Sequence, residues 1–176
     1  MYPIIRLISS TMNAKKSEKL AFDDVSEIQF RCRPWDLDMF MEMNNGRILT
    51  LFDLGRFDMS IRTGLADVLR KNRWGLAVAG STTRYRKRIK LFNKVTMKTQ
   101  AVGYDEKWFY VAQSMWLGDT PASSVLLRTC ITRKGGAVPT EEVLAQMNAE
   151  HWKPALPDWV EQWQQADSHR PWPPAP

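Results

Sequence analysis

The sequence predicts an α+β domain in which an antiparallel β-sheet curls around one long helix. Three observations carry this. Alternating apolar positions mark a strand at residues 28–32. A helical stretch from about residue 46 to 63 is apolar on more than one side. After Trp74 the period changes from helical to alternating, and short turns separate the remaining strands.

In the first strand Ile28, Phe30 and Cys32 alternate with Gln29, Arg31 and Arg33. Pro34, which has no amide proton for a ladder, ends it. The next stretch, residues 35–45, reads as a loop entering the helix, with Asn44 or Asn45 as N-cap and Gly64 as the left-handed residue after its end. Ile48, Leu51, Phe52, Leu54, Phe57, Met59 and Ile61 predict a helix enclosed on several sides. Gly55 lowers helix propensity by about 1 kcal/mol, which suggests that another element passes close by. Asp58 and Arg62, one turn apart, are expected on the wet side.

Strands follow at 74–86, 95–102, 108–117 and 125–133, with turns at 103–107 and 118–121. In the first of these Ala77, Ala79, Ser81, Thr83 and Tyr85 form one face. Pro139-Thr140-Glu141-Glu142 opens a short helix.

The expected organisation is a leader at 1–24, one domain at 25–150 and a tail at 151–176. The tail holds four of the eight tryptophans and six of the ten prolines. It is expected to dock through Trp152, Trp159 and Trp163, and residues 171–176 to fray. The leader is apolar at its start and reads as a small N-terminal flap, with an interfacial membrane contact as the alternative. It is too short to span a bilayer, and its lysines follow the apolar residues instead of preceding them.

Composition narrows the chemistry. The chain has 176 residues, enough for one core, and 25 % charged residues with a net charge of +6, which favours anionic partners. Cys32 and Cys130 form no CxxC pair, so a reducing, cytoplasmic compartment is expected. The two histidines, His151 and His169, lie near the C-terminus, and no zinc-type spacing or G-x-S-x-G elbow is present. Neither a metal site nor a serine–histidine–acid hydrolase is expected, and no metal or redox cofactor.

The richest stretch for chemistry is Asp36-Leu37-Asp38-Met39-Phe40-Met41-Glu42-Met43-Asn44-Asn45-Gly46-Arg47, which sets three carboxylates just before the helix. A helix N-terminus offers unpaired amides and partial positive charge, which suits a developing oxyanion. By local physics alone, Asp36 and Asp38 stabilise the helix start and face water. A second cluster, Arg84-Tyr85-Arg86-Lys87-Arg88-Ile89-Lys90, carries five cations in seven residues. Its ordinary reading is a solvated strand end.

With Leu49-Thr50-Leu51-Phe52-Asp53-Leu54-Gly55-Arg56-Phe57 following it, the acidic stretch resembles the hotdog-fold thioesterases, in their 4-hydroxybenzoyl-CoA thioesterase-like branch. There the usual pattern is D-x-D-x-x-x-H-x-N-N before a long helix. The likeness extends to Asp105-Glu106-Lys107-Trp108-Phe109-Tyr110 and Gly135-Gly136-Ala137-Val138-Pro139-Thr140, and covers the chain from about Ile28 to the tail. It implies a hotdog fold, a homodimer or homotetramer, and hydrolysis of an acyl-CoA thioester to free acid and CoA.

Residue by residue, the resemblance makes Asp38 the catalytic carboxylate, as general base or nucleophile. It makes the amides of Asn45 and Gly46 the candidate oxyanion donors. Asn44 matches the family and is read first as a cap. Arg84, Arg86, Lys87 and Arg88 are candidates for the phosphates of coenzyme A. Glu42 stands where the family has histidine and is expected in the catalytic site as a modifying neighbour of Asp38, and Phe40 stands where plant acyl-carrier-protein thioesterases have asparagine. Met39, Met41, Met43 and Phe40 are candidates for an acyl pocket or for core and dimer contacts.

The alternative reading is a non-catalytic acyl-CoA-binding or structural hotdog dimer, because of Glu42. Nucleic acid is not expected as a partner, since no RRM, KH or helix-turn-helix pattern accompanies the basic run.

Overall fold

A computed structural model describes residues 3–171, 173 and 174. The expected fraying of the last six residues falls partly outside these. The architecture is the hotdog arrangement. A six-stranded antiparallel sheet, in the order β1-β3-β4-β5-β2 with β6 beside β5, curls around helix α2.

The elements are α1 (Ile4–Lys16), β1 (Ser26–Arg31), α2 (Asn45–Arg62), α3 (Leu65–Asn72), β2 (Gly75–Tyr85), β3 (Lys94–Tyr104), β4 (Phe109–Leu117), β5 (Thr120–Arg133), β6 (Gly136–Ala137), α4 (Thr140–Gln146) and α5 (Asp158–Ser168). A 3-10 turn covers Pro34–Asp36. Among the described residues, no helix is long and apolar enough to cross a membrane.

Helix α2 starts where an asparagine can cap it. Asn44 Oδ1 accepts the amides of Gly46 at 2.9 Å and Arg47 at 3.2 Å. It ends at Gly64, whose φ of +84° breaks the helix. Leu51 and Phe52 are fully buried, as are Val95, Met97 and Met115 on the strands facing them. Each such side chain contributes about 1.5–3 kcal/mol by leaving water. The second half of α2 packs Met59 against Ala101, Phe109, Ile131 and α4. Gly55 is where β3 and β4 come closest. A Cβ there would lie 2.6 Å from Thr99 Oγ1 and 2.9 Å from Gln113 Nε2, which accounts for glycine mid-helix.

Several expectations need correction. The leader, expected as a small packed flap, is a thirteen-residue helix packed on α2, its inner side carrying Arg6, Leu7 and Ala14. Asp58 is not on the wet side. It is 3 % exposed and accepts a 2.6 Å bond from Ser26 Oγ on β1, with Arg62 beside it.

The regular alternation along β2 breaks at a bulge between Val78 and Gly80. Ala77, Gly80, Thr82 and Arg84 therefore share one face with their partners Cys130, Arg128, Leu126 and Ser124. β5 begins at Thr120, leaving Gly118-Asp119 as a two-residue turn, and Pro121 is accommodated at a register shift between Met115 and Trp116. α3 is an element for which the sequence reading had no separate assignment. It is amphipathic and only eight residues long.

The tail crosses to the outer face of the sheet. Trp152 packs edge-on against Phe22 with ring centres 4.7 Å apart. Val160 and Trp163 of α5 cover Tyr110 and Leu126. Trp159 stays half exposed.

Candidate functional site

The segment before α2 is a small hairpin. Leu37 bridges Met43, the Asp38 amide donates to the Glu42 carbonyl at 2.8 Å, and Glu42 bridges Lys90 on the far side. Leu37 and Met43 point into the core. By the two-residue period Asp38, Glu42 and Asn44 lie on the opposite face of this ribbon. Its tip, Met39-Phe40-Met41, is exposed, and Met41 has a φ of +59°. Met43 alone of the three methionines is core; Met39 and Met41 are not.

Asp36 and Asp38 have different roles. Asp36 is 1 % exposed and does not face water, contrary to the local reading of the sequence. Arg6 of α1 grips it through Nη1–Oδ1 at 3.0 Å and Nη2–Oδ2 at 2.7 Å. The Arg33 amide adds 2.9 Å and Arg47 Nε stands at 3.5 Å. Arg6 also donates to the Arg31 carbonyl and lies over the Phe30 ring. This ion cluster, which sequence reasoning missed, ties α1, β1 and the start of α2 together. Its one signal in the sequence was a lone arginine within an apolar leader.

Asp38 is half-buried. Its Oδ1 accepts the Phe40 amide at 2.8 Å, closing the turn, while Oδ2 has no hydrogen-bond partner among the described residues. Glu42 Oε2 lies 2.9 Å from Arg88 Nε, an ion pair without hydrogen-bond alignment.

A cleft of about 500 Å³ opens at the N-terminus of α2, with Trp35, Asp36, Asn44, Gly46, Arg47 and Thr50 among its walls. Asp38 and Glu42 lie on the adjoining hairpin and not in those walls. The Gly46 amide is taken by the Asn44 cap. The Asn45 amide has no hydrogen-bond acceptor among the described residues.

The basic run is divided. Arg88 reaches Glu42 beside the hairpin, and the amides of Arg86 and Lys87 bond the Ala122 carbonyl, their side chains exposed. Arg84 lies elsewhere, in a groove of about 740 Å³ on the outer face of the sheet with Lys98, Ser114, Ser124 and Trp159.

A second polar network lies beneath α2. Gln113 Nε2 donates to the Phe52 carbonyl at 2.8 Å and to Thr99 Oγ1 at 2.9 Å, and its Oε1 accepts from Arg56 Nη1 at 2.7 Å. Arg56 also pairs with Asp53. Burial pushes the Asp53 carboxyl upward, and Arg56 opposes that shift. Among the described residues, no group of three or more His, Cys, Asp or Glu side chains could hold a metal ion.

The E. coli YbaW probable thioesterase superposes with a TM-score of 0.64 at 19 % identity, over 69 % of this chain and 98 % of that one. SAV2348 from Staphylococcus aureus, solved in complex with CoA, gives 0.65 at 15 % identity, over 82 % and 96 %. At such identities the likeness is one of fold. In sequence, protein THEM6 of Xenopus laevis is 31 % identical over 131 residues, 74 % of this chain. The chain spans 62 % of that relative's length. The model of the thioesterase-like superfamily matches residues 32–164, a span that takes in the hairpin, α2 and the whole curled sheet apart from β1, and to that superfamily this chain belongs.

Proposed function

We propose that this chain hydrolyses acyl-CoA thioesters at the amino end of α2. The observation that carries the reading is the open cleft at a capped, enclosed helix N-terminus, next to a carboxylate with a free oxygen, in a chain of this superfamily. CoA bound to the similar SAV2348 fold supports the choice of thiol carrier.

In this reading Asp38 Oδ2 takes a proton from water as the water oxygen attacks the thioester carbonyl. The oxyanion draws on the Asn45 amide and on the positive end of α2. The Gly46 amide joins only by exchanging its bond to Asn44. When the C–S bond breaks, the proton passes to the thiolate, leaving acid and CoA. Asn44 holds the helix end in place. Glu42, paired with Arg88, acts as a charged neighbour of Asp38, and Arg86, Lys87 and Arg88 meet the CoA phosphates. Arg84, in the outer groove, serves this least.

The reading includes a homodimer or homotetramer in the cytoplasm. β2 is an edge strand with half-exposed Leu76 and Val78, and Leu49 and Phe57 of α2 are exposed. Two buried unpaired thiols suit a reducing compartment. The Glu42–Arg88 pair favours the second reading, acyl-CoA binding without turnover, because an ionised carboxylate cannot donate a hydrogen bond as the family's histidine can.

Thiol release measured across acyl-CoA chain lengths tests both. Asp38→Asn is expected to lower kcat at least about a hundredfold, as loss of a general base does. Turnover unchanged in Asp38→Asn removes Asp38 from the mechanism. CoA binding without turnover in the unmodified protein replaces hydrolysis with the second reading.

A further inference from the structure

We propose that the outward side of α1 docks on anionic lipid membranes, seating the protein at the bilayer surface. Ile4, Ile5, Ile8 and Met12 are 60 %, 81 %, 56 % and 55 % exposed. Spaced three and four residues apart, they form one apolar stripe, with Lys15 and Lys16 in the last turn and Lys19 just beyond. A soluble surface helix normally turns such a stripe inward. Here the inner side is already occupied by Arg6, Leu7 and Ala14.

The attachment of that inner side fixes the orientation. Arg6 is held by Asp36 and by the Arg31 carbonyl, and Leu7 packs into the main core. The helix therefore cannot roll to hide its isoleucines without breaking a buried ion pair. At about 1.5 Å per residue it presents a rod roughly 20 Å long, suited to lying flat at the headgroup boundary with isoleucines among the acyl chains.

Charge selects the partner. No acidic residue occurs among the thirteen of α1, and its outward polar positions are Ser9, Asn13, Lys15 and Lys16. Beyond it Lys19 stands against Glu18. Lysines bordering an apolar stripe meet anionic headgroups, each adding about 1 kcal/mol near such a surface. The net charge of +6 acts in the same direction. The inference is independent of the reaction assigned to the site.

Co-sedimentation of the full chain with vesicles of phosphatidylcholine alone, or mixed with phosphatidylglycerol, tests it. At low salt the protein is expected to pellet with the mixed vesicles and to remain largely free with the neutral ones. Ile5→Ser/Ile8→Ser is expected to reduce partitioning at least about tenfold. Lys15→Glu/Lys16→Glu is expected to remove the preference for anionic vesicles. Ile5 and Ile8 lie on the outward side, so the thermal melt of Ile5→Ser/Ile8→Ser should match that of the unmodified protein. An unmodified chain that stays in the supernatant with anionic vesicles overturns the proposal, as does pelleting unchanged in Ile5→Ser/Ile8→Ser. So does a loss of oligomer mass in that variant by light scattering with lipid binding intact, which would give the stripe to a second copy of the chain.

Discussion

Arg6→Met removes the guanidinium that holds Asp36 and keeps most of the side chain's apolar stem. Asp36 is 1 % exposed and would lose bonds of 3.0 and 2.7 Å. Removing one partner of a buried pair costs about 3–5 kcal/mol when nothing replaces it. Here the Arg33 amide at 2.9 Å and Arg47 at 3.5 Å remain, which brings the expected loss to about 2–3 kcal/mol. Asp36→Asn should cost a similar amount, because it removes the buried negative charge that Arg6 and Arg47 face. The double variant should cost less than the sum of the two, with a coupling of about 1–3 kcal/mol. Urea denaturation of the four proteins in this cycle gives the number. Amide exchange should show α1 losing protection first in Arg6→Met, since Arg6 is its main polar attachment. A stability within about 0.5 kcal/mol of the unmodified protein in Arg6→Met, or purely additive losses, would refute the claim that this pair fastens α1 to the site.

Other consequences follow from single contacts. Gly55→Ala should destabilise by about 1–3 kcal/mol, although alanine favours helix, because its Cβ would displace Thr99 and Gln113 from their bonds; thermal melts read this directly. Trp152→Ala should cost about 3–5 kcal/mol by emptying the contact with Phe22 and Tyr104, and denaturant midpoints measure it. Burial pushes the Cys32 thiol up to about 11, with Asp36 adding to the shift and Arg6 opposing it. At pH 7 about one molecule in ten thousand then carries the thiolate, so maleimide should label Cys32 only after unfolding. Because that folded-state value lies above the ordinary 9.0, the folded state holds its proton longer than the unfolded one. The stabilisation is complete below pH 9 and is lost as pH rises through 11, which stability measured across that window would show as a fall.

Local pattern was enough for the strands and for α2, because alternation and capping are properties of neighbouring residues. Ile28, Phe30 and Cys32 do line the inner side of the sheet start, Asn44 does cap α2, and Gly55 does mark a close approach. The bulge at Val78–Gly80 was not legible, since one extra residue in a ladder is set by the partner strand. α1 escaped because its stripe faces outward, so its apolar residues read as a short leader and not as one side of a docked helix.

The sequence by itself determined the α+β class, the order of the main elements and the acidic run before a capped helix, all of which depend on separations of a few residues. Only tertiary structure decided what each acid does. Asp36 and Asp38 are two positions apart and chemically identical, yet an arginine thirty residues earlier buries and neutralises the first, and among the described residues no long-range side-chain partner takes the second. That difference comes from packing α1 across α2, a long-range contact that no local periodicity encodes.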